Sequence, residues 1–441
     1  MINWLLFKEA ISTDPIVQSY IDRINKLNSI YEGEKVPFCY PGTYLDDDLK
    51  EFIGELIRKN FNLIGAHTHS EKGEGGFEDV QAMERWAVRW ISNLMGDQTA
   101  DGYFAGGGTE GNIMGMWIAR EYLKHNNQAQ EKKDFHITAI VPETIHYSVL
   151  KAFDMLGIID WVFVKNDSDL LIDMDDLRKI IDNKSTNGTT SFIIVGTSGI
   201  CISGGNDPIT EISDMIDEYK SKEDSPDFYF HVDAAFAGFT VPFLTNDVQI
   251  GFRNKNVFSM VLDGHKMGLI PYPSGIFMCR KGFQEYVTRD VHYIRGGHDD
   301  TISGSRSAIG PVSAWYMFHK YGFEGYQKLA QDCITHRDIL KKMLTERNIH
   351  GVRILKCDPY VNFMPVIIDI KDGKIPEKIE EEELYPYHMR SDKFMIDGKE
   401  EYVYKVCVMR HTFMKNGQHT LEHFTNFIND IENIVNSNWH Q

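Results

Sequence analysis

The chain has 441 residues but lacks long apolar runs and is short of positive charge. No stretch approaches the roughly 20 consecutive apolar residues that a membrane-spanning helix needs. The opening MINWLLFKEA contains too short an apolar run for a signal sequence. Lysine and arginine total 46 against 64 acidic residues, a net charge of −18, so most of the surface would repel a phosphate backbone. We therefore expect a soluble, cytoplasmic protein that binds neither membrane nor nucleic acid.

Cysteine and clustered metal ligands are also scarce. The six cysteines show no C-x-x-C spacing, which is typical of reduced thiols in a reducing compartment. His67 and His69 form an H-x-H stretch, but in an extended chain their side chains point to opposite faces and no partner cluster follows. We predict no metal site and expect His67 and His69 to lie near a substrate entrance.

Short apolar runs alternate with amphipathic stretches through the middle of the chain. These runs predict strands at 137–141, 160–164, 192–197, 228–233, 257–262 and 275–279, and apolar residues spaced by three or four predict a helix from Glu78. Strands that alternate with helices indicate a mainly parallel sheet with functional sites at the carboxyl ends of its strands.

The pattern divides the chain into a helical N-terminal arm (1–55), a large domain (56–310) and a small α+β C-terminal domain (311–441). The last region contains a helical stretch over 311–346, an apolar run at 364–370, a predicted strand at 402–409 and a closing helix from about residue 420. The acidic run Glu380–Glu383 predicts only a solvated loop or helix face.

Two predicted strands end in residues whose combination indicates a cofactor. Lys266 follows one strand in VLDGHKMG, and Asp233 ends another. A lysine beside apolar and small residues is poorly hydrated, so the pKa of its ammonium should fall and its amine can attack a carbonyl. A lysine for a Schiff base and a carboxylate for a pyridine nitrogen are the pair that pyridoxal phosphate requires. The sequence therefore predicts an enzyme that uses pyridoxal 5′-phosphate.

A glycine-rich stretch fits the same cofactor. GGGTEGN (106–112) stands just before a predicted apolar helix over Ile113–Leu123. Backbone N–H groups there, with the Thr109 hydroxyl, could hold a phosphate. The spacing matches neither the G-x-G-x-x-G nor the Walker pattern, which disfavours dinucleotide and ATP binding.

Two further positions have both a functional and a structural interpretation. His146 stands at a predicted strand-to-helix junction and could stack on a pyridine ring, although a histidine there is more often a helix cap or a core residue. Thr197 and Ser198 close another predicted strand and could hydrogen-bond a ring oxygen, with ordinary turn chemistry as the alternative.

Taken together, these motifs resemble the group II pyridoxal-phosphate amino acid decarboxylases, including bacterial histidine decarboxylases and archaeal tyrosine and aspartate decarboxylases. The matching stretches are GGGTEGN (106–112), IHYS (145–148), HVDAAFAG (231–238), DGHKMG (263–268) and TISGSR (301–306). The resemblance implies the α/β architecture of fold type I (aspartate aminotransferase-like), with a large mainly parallel-sheet domain and a small C-terminal α+β domain. It also implies a homodimer with shared active sites.

The resemblance assigns roles to individual residues. Lys266 would bind the cofactor covalently, His146 would stack on its ring, and Asp233 would keep the pyridine nitrogen protonated. The remaining contacts to the cofactor would come from Ala235 against the other ring face, from Thr197 or Ser198, and from a phosphate site of Gly107, Gly108, Thr109 and His265.

Three kinds of residue would complete the site. Ser303 and Ser305 would reach the neighbouring subunit's site. Tyr293 lies in a stretch that forms a mobile loop in relatives, and it would help to reprotonate the carbanion. Arg410 aligns loosely with an arginine of glutamate decarboxylases and could hold a carboxylate; a surface or subunit contact is the alternative.

The predicted reaction is the decarboxylation of an L-amino acid to the amine and carbon dioxide. An aromatic or imidazole side chain, such as that of tyrosine or histidine, is favoured, and an acidic one is possible. The alternatives are a carbon–carbon lyase of the sphingosine-phosphate lyase type and a non-catalytic protein that binds pyridoxal phosphate. The complete set of His146, Asp233 and Lys266 argues against the non-catalytic alternative.

Overall fold

The computed structural model describes residues 19, 30–31, 33–38, 42–64, 74–130, 136–295, 297–369, 375–396 and 398–439. Within them the strands, in chain order, are β1 (Asn62–Ile64), β2 (Asp101–Ala105), β3 (Ile137–Pro142), β4 (Trp161–Val164), β5 (Ser191–Thr197), β6 (Asp227–Asp233), β7 (Val257–Asp263), β8 (Gly275–Cys279), β9 (Arg289–Asp290), β10 (His298–Asp299), β11 (Ser305–Ser307), β12 (Val352–Ile354), β13 (Phe363–Ile368), β14 (Ser391–Ile396), β15 (Lys399–Cys407), β16 (Met414–Lys415) and β17 (Gln418–His419). The α-helices are α1 (Asp47–Lys59), α2 (Glu78–Leu94), α3 (Gly108–Ala129), α4 (Tyr147–Leu156), α5 (Met174–Thr186), α6 (Ile209–Lys220), α7 (Val241–Leu244), α8 (Ile309–Arg347), α9 (Glu377–Ile379), α10 (Arg410–Phe413) and α11 (Glu422–Trp439).

A seven-stranded sheet with the order β2-β8-β7-β6-β5-β3-β4 forms the centre of the fold. The neighbouring pairs from β7 to β4 are parallel, whereas β8 is antiparallel to both β7 and β2. Strands β5 and β8 are buried along their whole length, as expected when helices cover both faces of a sheet. The predicted mainly parallel sheet is confirmed, and the six strands predicted within it begin and end within one residue of the observed positions. The strand predicted at 402–409 is observed at Lys399–Cys407, three residues earlier at its start and two at its end.

Three polar residues meet at the carboxyl edge of this sheet. Thr197 and Asp233 are the last residues of β5 and β6 and pair with each other in the register. Asp263 ends β7, the next strand along. Because parallel strands end at the same edge, their terminal side chains come close together there.

Helix α3 packs on β6 and β7 through a face of glycines. A Cβ atom added to Gly108, Gly111 or Gly115 would lie 2.9 Å from Asp263 Oδ2, 2.4 Å from Val261 Cγ2 or 2.6 Å from His231 Cε1, respectively. The helix begins at Gly108, five residues before its predicted start, so Thr109 lies in the first helical turn rather than in a loop before it.

The C-terminal part contains an antiparallel sheet with the order β12-β13-β15-β14. Helix α8 crosses the predicted boundary at residues 310/311 and is interrupted at Gly322 (φ 58°, ψ −167°). The predicted domain limits at 55/56 and 310/311 stay predictions. Glu380 is 3% exposed and accepts hydrogen bonds from the backbone and hydroxyl of Ser391. The prediction of a solvated acidic run is therefore wrong for Glu380.

Helices in the described ranges are all too short or too polar to cross a bilayer.

Candidate active site

Lys266 lies in the loop that joins β7 to β8. The hydroxyl of Tyr326 donates to the carbonyl of Gly268 at 2.8 Å and ties this loop to α8. Lys266 Nζ lies 2.9 Å from Asp263 Oδ2. Burial alone would lower the pKa of the lysine, but the carboxylates of Asp263 and Asp233 raise it above its ordinary value. The expectation of a lowered pKa is therefore wrong, because the sequence does not reveal a carboxylate at this distance.

Both carboxylate oxygens of Asp233 accept hydrogen bonds. Asn112 Nδ2 donates to Oδ2 at 2.9 Å, and the backbone N–H of Ala235 donates to Oδ1 at 3.0 Å. The two donors hold the orientation of the carboxylate and stabilise its negative charge.

His146 is the N-cap of α4. Its Nδ1 lies 2.7 Å from Ser148 Oγ and accepts from the Ser148 backbone N–H at 3.4 Å. Burial lowers the pKa of His146, while the charge of Asp233 raises it and that of Lys266 lowers it further. The imidazole is therefore neutral near neutral pH, and it lies close enough to both residues to respond to their charges.

The glycine-rich stretch and His265 adjoin each other. Gly107 has φ 130°, a conformation that strongly favours glycine, and a Cβ there would lie 3.8 Å from His265 Cε1. A Cβ on Gly275 would lie 2.3 Å from the carbonyl carbon of Gly107, so the loop also packs closely on β8. The N–H groups of the first turn of α3 have no partner within the helix, and such groups bind phosphate well.

The two candidate hydroxyls of the β5 end differ in their contacts. Ser198 Oγ donates to Asn206 Oδ1 at 2.5 Å. Thr197 Oγ1 is buried and finds no hydrogen-bond partner within the described residues. A buried unsatisfied hydroxyl is costly unless a ligand completes it, so Thr197 is the better candidate for a cofactor contact.

These features together fit pyridoxal phosphate. They combine a buried amine, an ordered carboxylate, a glycine-only backbone beside a histidine, and the buried hydroxyl of Thr197. No group of metal-ligating side chains was found in the same described residues.

Three further predicted site residues are exposed in the structure. Tyr293 is 84% exposed, and Ser303 and Ser305 are exposed as well, with Ser305 Oγ accepting from Asn62 at 3.2 Å. His67 and His69 fall outside the described residues. The proposed roles of these five residues stay predictions.

Arg410 faces a different cavity from Lys266. Its Nη2 lies 2.6 Å from Asp46 Oδ1, and its Nε lies 3.2 Å from Tyr44 Oη. Arg410 lines a cavity of about 1040 Å³, whereas Lys266 lines a neighbouring one of about 290 Å³. The structure does not bring Arg410 to the lysine.

Lys405 is a buried cation whose charge acts on His146 and that sequence reasoning missed. It is 8% exposed, its Nζ lies 3.3 Å from Cys201 Sγ, and it lies 5.2 Å from the centroid of the Phe363 ring. Burial is the largest cause of the lowered pKa of His146, and the charge of Lys405 lowers that pKa further. The sequence did contain a sign of this buried charge. Lysine is rarely buried, yet Lys405 stands inside the apolar strand YVYKVCV.

The sheet order, the lysine after β7 and the carboxylate at the end of β6 define a fold type I pyridoxal-phosphate enzyme. Residues 78–358 match the pyridoxal-dependent decarboxylase conserved domain, and the chain belongs to that family. It is 33% identical to the tryptophan decarboxylase of Clostridium sporogenes over 360 residues, which cover 78% of this chain and 82% of the relative.

A second relative and a solved structure are also similar to this chain. The chain is 31% identical over 300 residues to a probable L-tyrosine/L-aspartate decarboxylase of Methanococcus aeolicus, covering 66% of this chain and 72% of the relative. The solved glutamate decarboxylase of Lactobacillus brevis shares the fold with a TM-score of 0.77 at 18% identity, over 97% of this chain and 93% of the other. The chain is thus a pyridoxal-phosphate-dependent amino acid decarboxylase, which confirms the predicted cofactor and reaction class.

Proposed function

We propose that the enzyme decarboxylates an L-amino acid with an aromatic or imidazole side chain. The observation that carries this proposal is the cavity of about 290 Å³ beside Lys266, a size at the lower end of small-molecule sites. Its walls are mainly apolar and aromatic, with Tyr44, Leu45, Leu269, Ile270, Pro271 and Tyr272 among the lining residues. Such walls favour a flat, largely apolar side chain over a charged one.

Pyridoxal phosphate, when bound, supplies an aldehyde for amines and a ring that accepts electrons. Lys266 would provide the amine that holds it, and Asp233 would keep a proton on its ring nitrogen. The phosphate would be held by Gly107, Gly108, Thr109 and His265, and the ring hydroxyl by Thr197. His146 and Ala235 would enclose the ring from its two faces.

Lys405 is our candidate for binding the substrate carboxylate. Its buried ammonium acts electrostatically on His146, as Lys266 does, so it adds positive charge to the same site. A carboxylate brought next to a buried ammonium gains a strong, charge-assisted hydrogen bond.

The acidic-substrate alternative would need a cation facing the substrate side chain. Arg410 was the sequence candidate, but its guanidinium is paired with Asp46 at 2.6 Å and lines the other cavity. Lys50 lines the cavity of Lys266 and is paired with Asp47 at 2.9 Å. Because both cations are paired with aspartates, the structure favours an aromatic substrate side chain over an acidic one.

A panel of L-amino acids tests the proposed substrate class. Release of carbon dioxide and amine should show a kcat/KM for tryptophan, tyrosine, phenylalanine or histidine at least about tenfold above that for aspartate or glutamate. The Lys266→Ala variant should release neither product. Aspartate or glutamate as the best substrate would refute the proposal.

Replacement of Lys405 tests the carboxylate site. Lys405→Met should raise KM by about tenfold or more for every substrate, because each carries the same carboxylate, and Lys405→Arg should restore most of the loss. Lys393 on the adjacent strand is exposed and paired with Glu400 at 2.7 Å, so Lys393→Met is the matched control. An unchanged KM in Lys405→Met would exclude this role.

A further inference from the structure

A buried polar side chain joins Asp233 to His146 through a second residue. Asn112 Nδ2 lies 2.9 Å from Asp233 Oδ2 and 2.8 Å from Ser148 Oγ. Ser148 Oγ in turn lies 2.7 Å from His146 Nδ1. Asn112 and Ser148 are at most 1% exposed, so water does not compete for these bonds.

The other side of Asn112 is held by a buried histidine. Asn112 Oδ1 lies 2.9 Å from His231 Nε2, and His231 Nδ1 lies 2.7 Å from Ser259 Oγ. His231 stands two positions before Asp233 on β6 and therefore faces the same side of the sheet. Burial lowers the pKa of His231 to about 4, so its ring is neutral and carries one proton.

The carboxylate of Asp233 determines how Asn112 is oriented. An ionised carboxylate only accepts, so Asn112 must present its NH₂ group to Asp233 and its oxygen to His231. Because an amide oxygen also only accepts, the single proton of His231 lies on Nε2. His231 Nδ1 then accepts from the hydroxyl of Ser259.

The orientation of Asn112 also determines the tautomer of His146. The second N–H of Asn112 donates to Ser148 Oγ, and the hydroxyl proton of Ser148 is then directed to His146 Nδ1. The backbone N–H of Ser148 also points to Nδ1, at 3.4 Å. Both contacts require a lone pair on Nδ1, so the proton of a neutral His146 lies on Nε2.

We propose that Asn112 is a positioning residue that orients one hydrogen-bond chain from Asp233 through Ser148 and fixes His146 as the neutral tautomer protonated on Nε2. In this state His146 donates a hydrogen bond through Nε2 and cannot accept a proton at that atom. His146 is then a donor to a bound group rather than a general base. The tautomer follows from contacts within the protein, whereas its part in the reaction rests on the proposed function.

A substitution at Gly115 can disturb His231, which lies at the end of the hydrogen-bond chain furthest from His146. It lies three residues after Asn112 and therefore on the same face of α3. A Cβ there would stand 2.6 Å from both Cε1 and Nδ1 of His231. The Gly115→Ala variant should therefore displace the His231 ring without adding a polar group.

Histidine tautomers can be read directly by two-bond ¹⁵N–¹H correlation NMR. The experiment uses the cofactor-loaded enzyme labelled with ¹⁵N-histidine, and the His146→Gln variant identifies the signal of His146. We expect a proton on Nε2 and an acceptor signal at Nδ1 near neutral pH. A proton on Nδ1, or a doubly protonated ring, would overturn the proposal whatever the preferred substrate is.

Variants test whether Asn112 fixes the tautomer of His146. Asn112→Leu should mix the His146 tautomers and lower kcat by about tenfold to a hundredfold, by analogy with the loss of partners that orient metal-ligating histidines. Ser148→Ala should mix the tautomers while leaving the bond between Asn112 and Asp233 intact. Gly115→Ala should change the His231 signals and move those of His146 in the same direction as Asn112→Leu.

Asn127→Leu is the matched control. Asn127 is buried on the same helix, where it donates to Ser191 Oγ at 2.7 Å, so its loss should cost comparable stability but leave the His146 spectrum and kcat unchanged. If Asn112→Leu fails to fold, Ser148→Ala and Gly115→Ala decide the question. An unchanged His146 spectrum in these variants, or an equal change in Asn127→Leu, would refute the proposal.

Discussion

Asp263 is a single residue whose position sets the chemistry of its neighbours. Its Oδ2 lies 2.9 Å from Lys266 Nζ and 3.6 Å from His265 Nε2. Gly108 leaves the space that the carboxylate fills, since a Cβ there would approach Oδ2 to 2.9 Å. Asp263 thus favours the protonated ammonium of Lys266 despite its burial, which by itself disfavours charge.

Removal of this charge should change how the lysine titrates. In Asp263→Asn the pKa of Lys266 should fall, because burial continues to disfavour the ammonium while a carboxylate that raised the pKa is lost. The neutral amine is the nucleophile, so the pH midpoint for incorporation of pyridoxal phosphate into apoenzyme should move to lower pH. Absorbance at a series of pH values measures the midpoint. A shift to higher pH would contradict this explanation.

The sequence alone could place Lys266 and Asp233 because Asp233 ends an apolar strand and Lys266 follows one closely, and the positions of such strands are readable from composition. It could not reveal the direction of the Lys266 pKa shift, which depends on the distance between two side chains. Lys405 was missed for a similar reason. It lies far along the chain from Lys266, and only the packing of β15 brings its charge near His146.

At the level of secondary structure, the glycine face of α3 determines how closely the helix approaches the sheet. Gly108, Gly111 and Gly115 recur at spacings of three and four residues, which is one face of a helix. Glycine is a poor helix former, so sequence propensity placed the start of this helix at Ile113. Tertiary packing extends it to Gly108, because only glycine allows close contact with β6 and β7.

Gly111→Ala should therefore destabilise the protein. The new methyl would lie 2.4 Å from Val261 Cγ2, and overpacking of about 1–3 kcal/mol should exceed the gain of about 1 kcal/mol in helix propensity. Gly54 in α1 has nothing within 4 Å of its added Cβ, so Gly54→Ala should stabilise by about 0.5–1 kcal/mol. Urea unfolding measures both variants, and effects of the same sign would contradict the packing argument.

At the level of the whole molecule, Asp46 joins three distant parts of the chain. It precedes α1 and accepts from Lys320 and Tyr321 on α8, at 2.7 and 2.8 Å, and from Arg410 on α10 at 2.6 Å. Burial alone would raise the pKa of Asp46, but hydrogen bonds from Lys320 and Arg410 lower it from 3.8 to about 2.

The Asp46 contribution to stability should depend on pH in a defined direction. Because its pKa is lowered on folding, the contribution is complete above pH 3.8 and is lost as pH falls towards 2. Asp46→Asn should lower the free energy of unfolding by about 2 kcal/mol at pH 7, and by less at about pH 3.

Asp47→Asn serves as the control for this measurement. Asp47 has a 95% exposed side chain paired with Lys50, so its replacement should change the free energy of unfolding little at either pH. Urea titrations at both pH values measure the two variants against the unmodified protein. An Asp46→Asn effect that is constant with pH, or equal to that of Asp47→Asn, would contradict the assignment.

Tyr44 lines both the cavity of Lys266 and that of Arg410, and the guanidinium lies 4.7 Å from the centre of its ring. Tyr44 therefore lies, with Tyr31, Leu45 and Lys50, between the mainly apolar cavity of Lys266 and the charged cavity of Arg410. A smaller side chain in place of Tyr44, together with loss of the pair between Arg410 and Asp46, would connect the two cavities. The protein would then place a positive charge near the side chain of a bound amino acid. A few changes of this kind would be enough to shift substrate preference between members of one family.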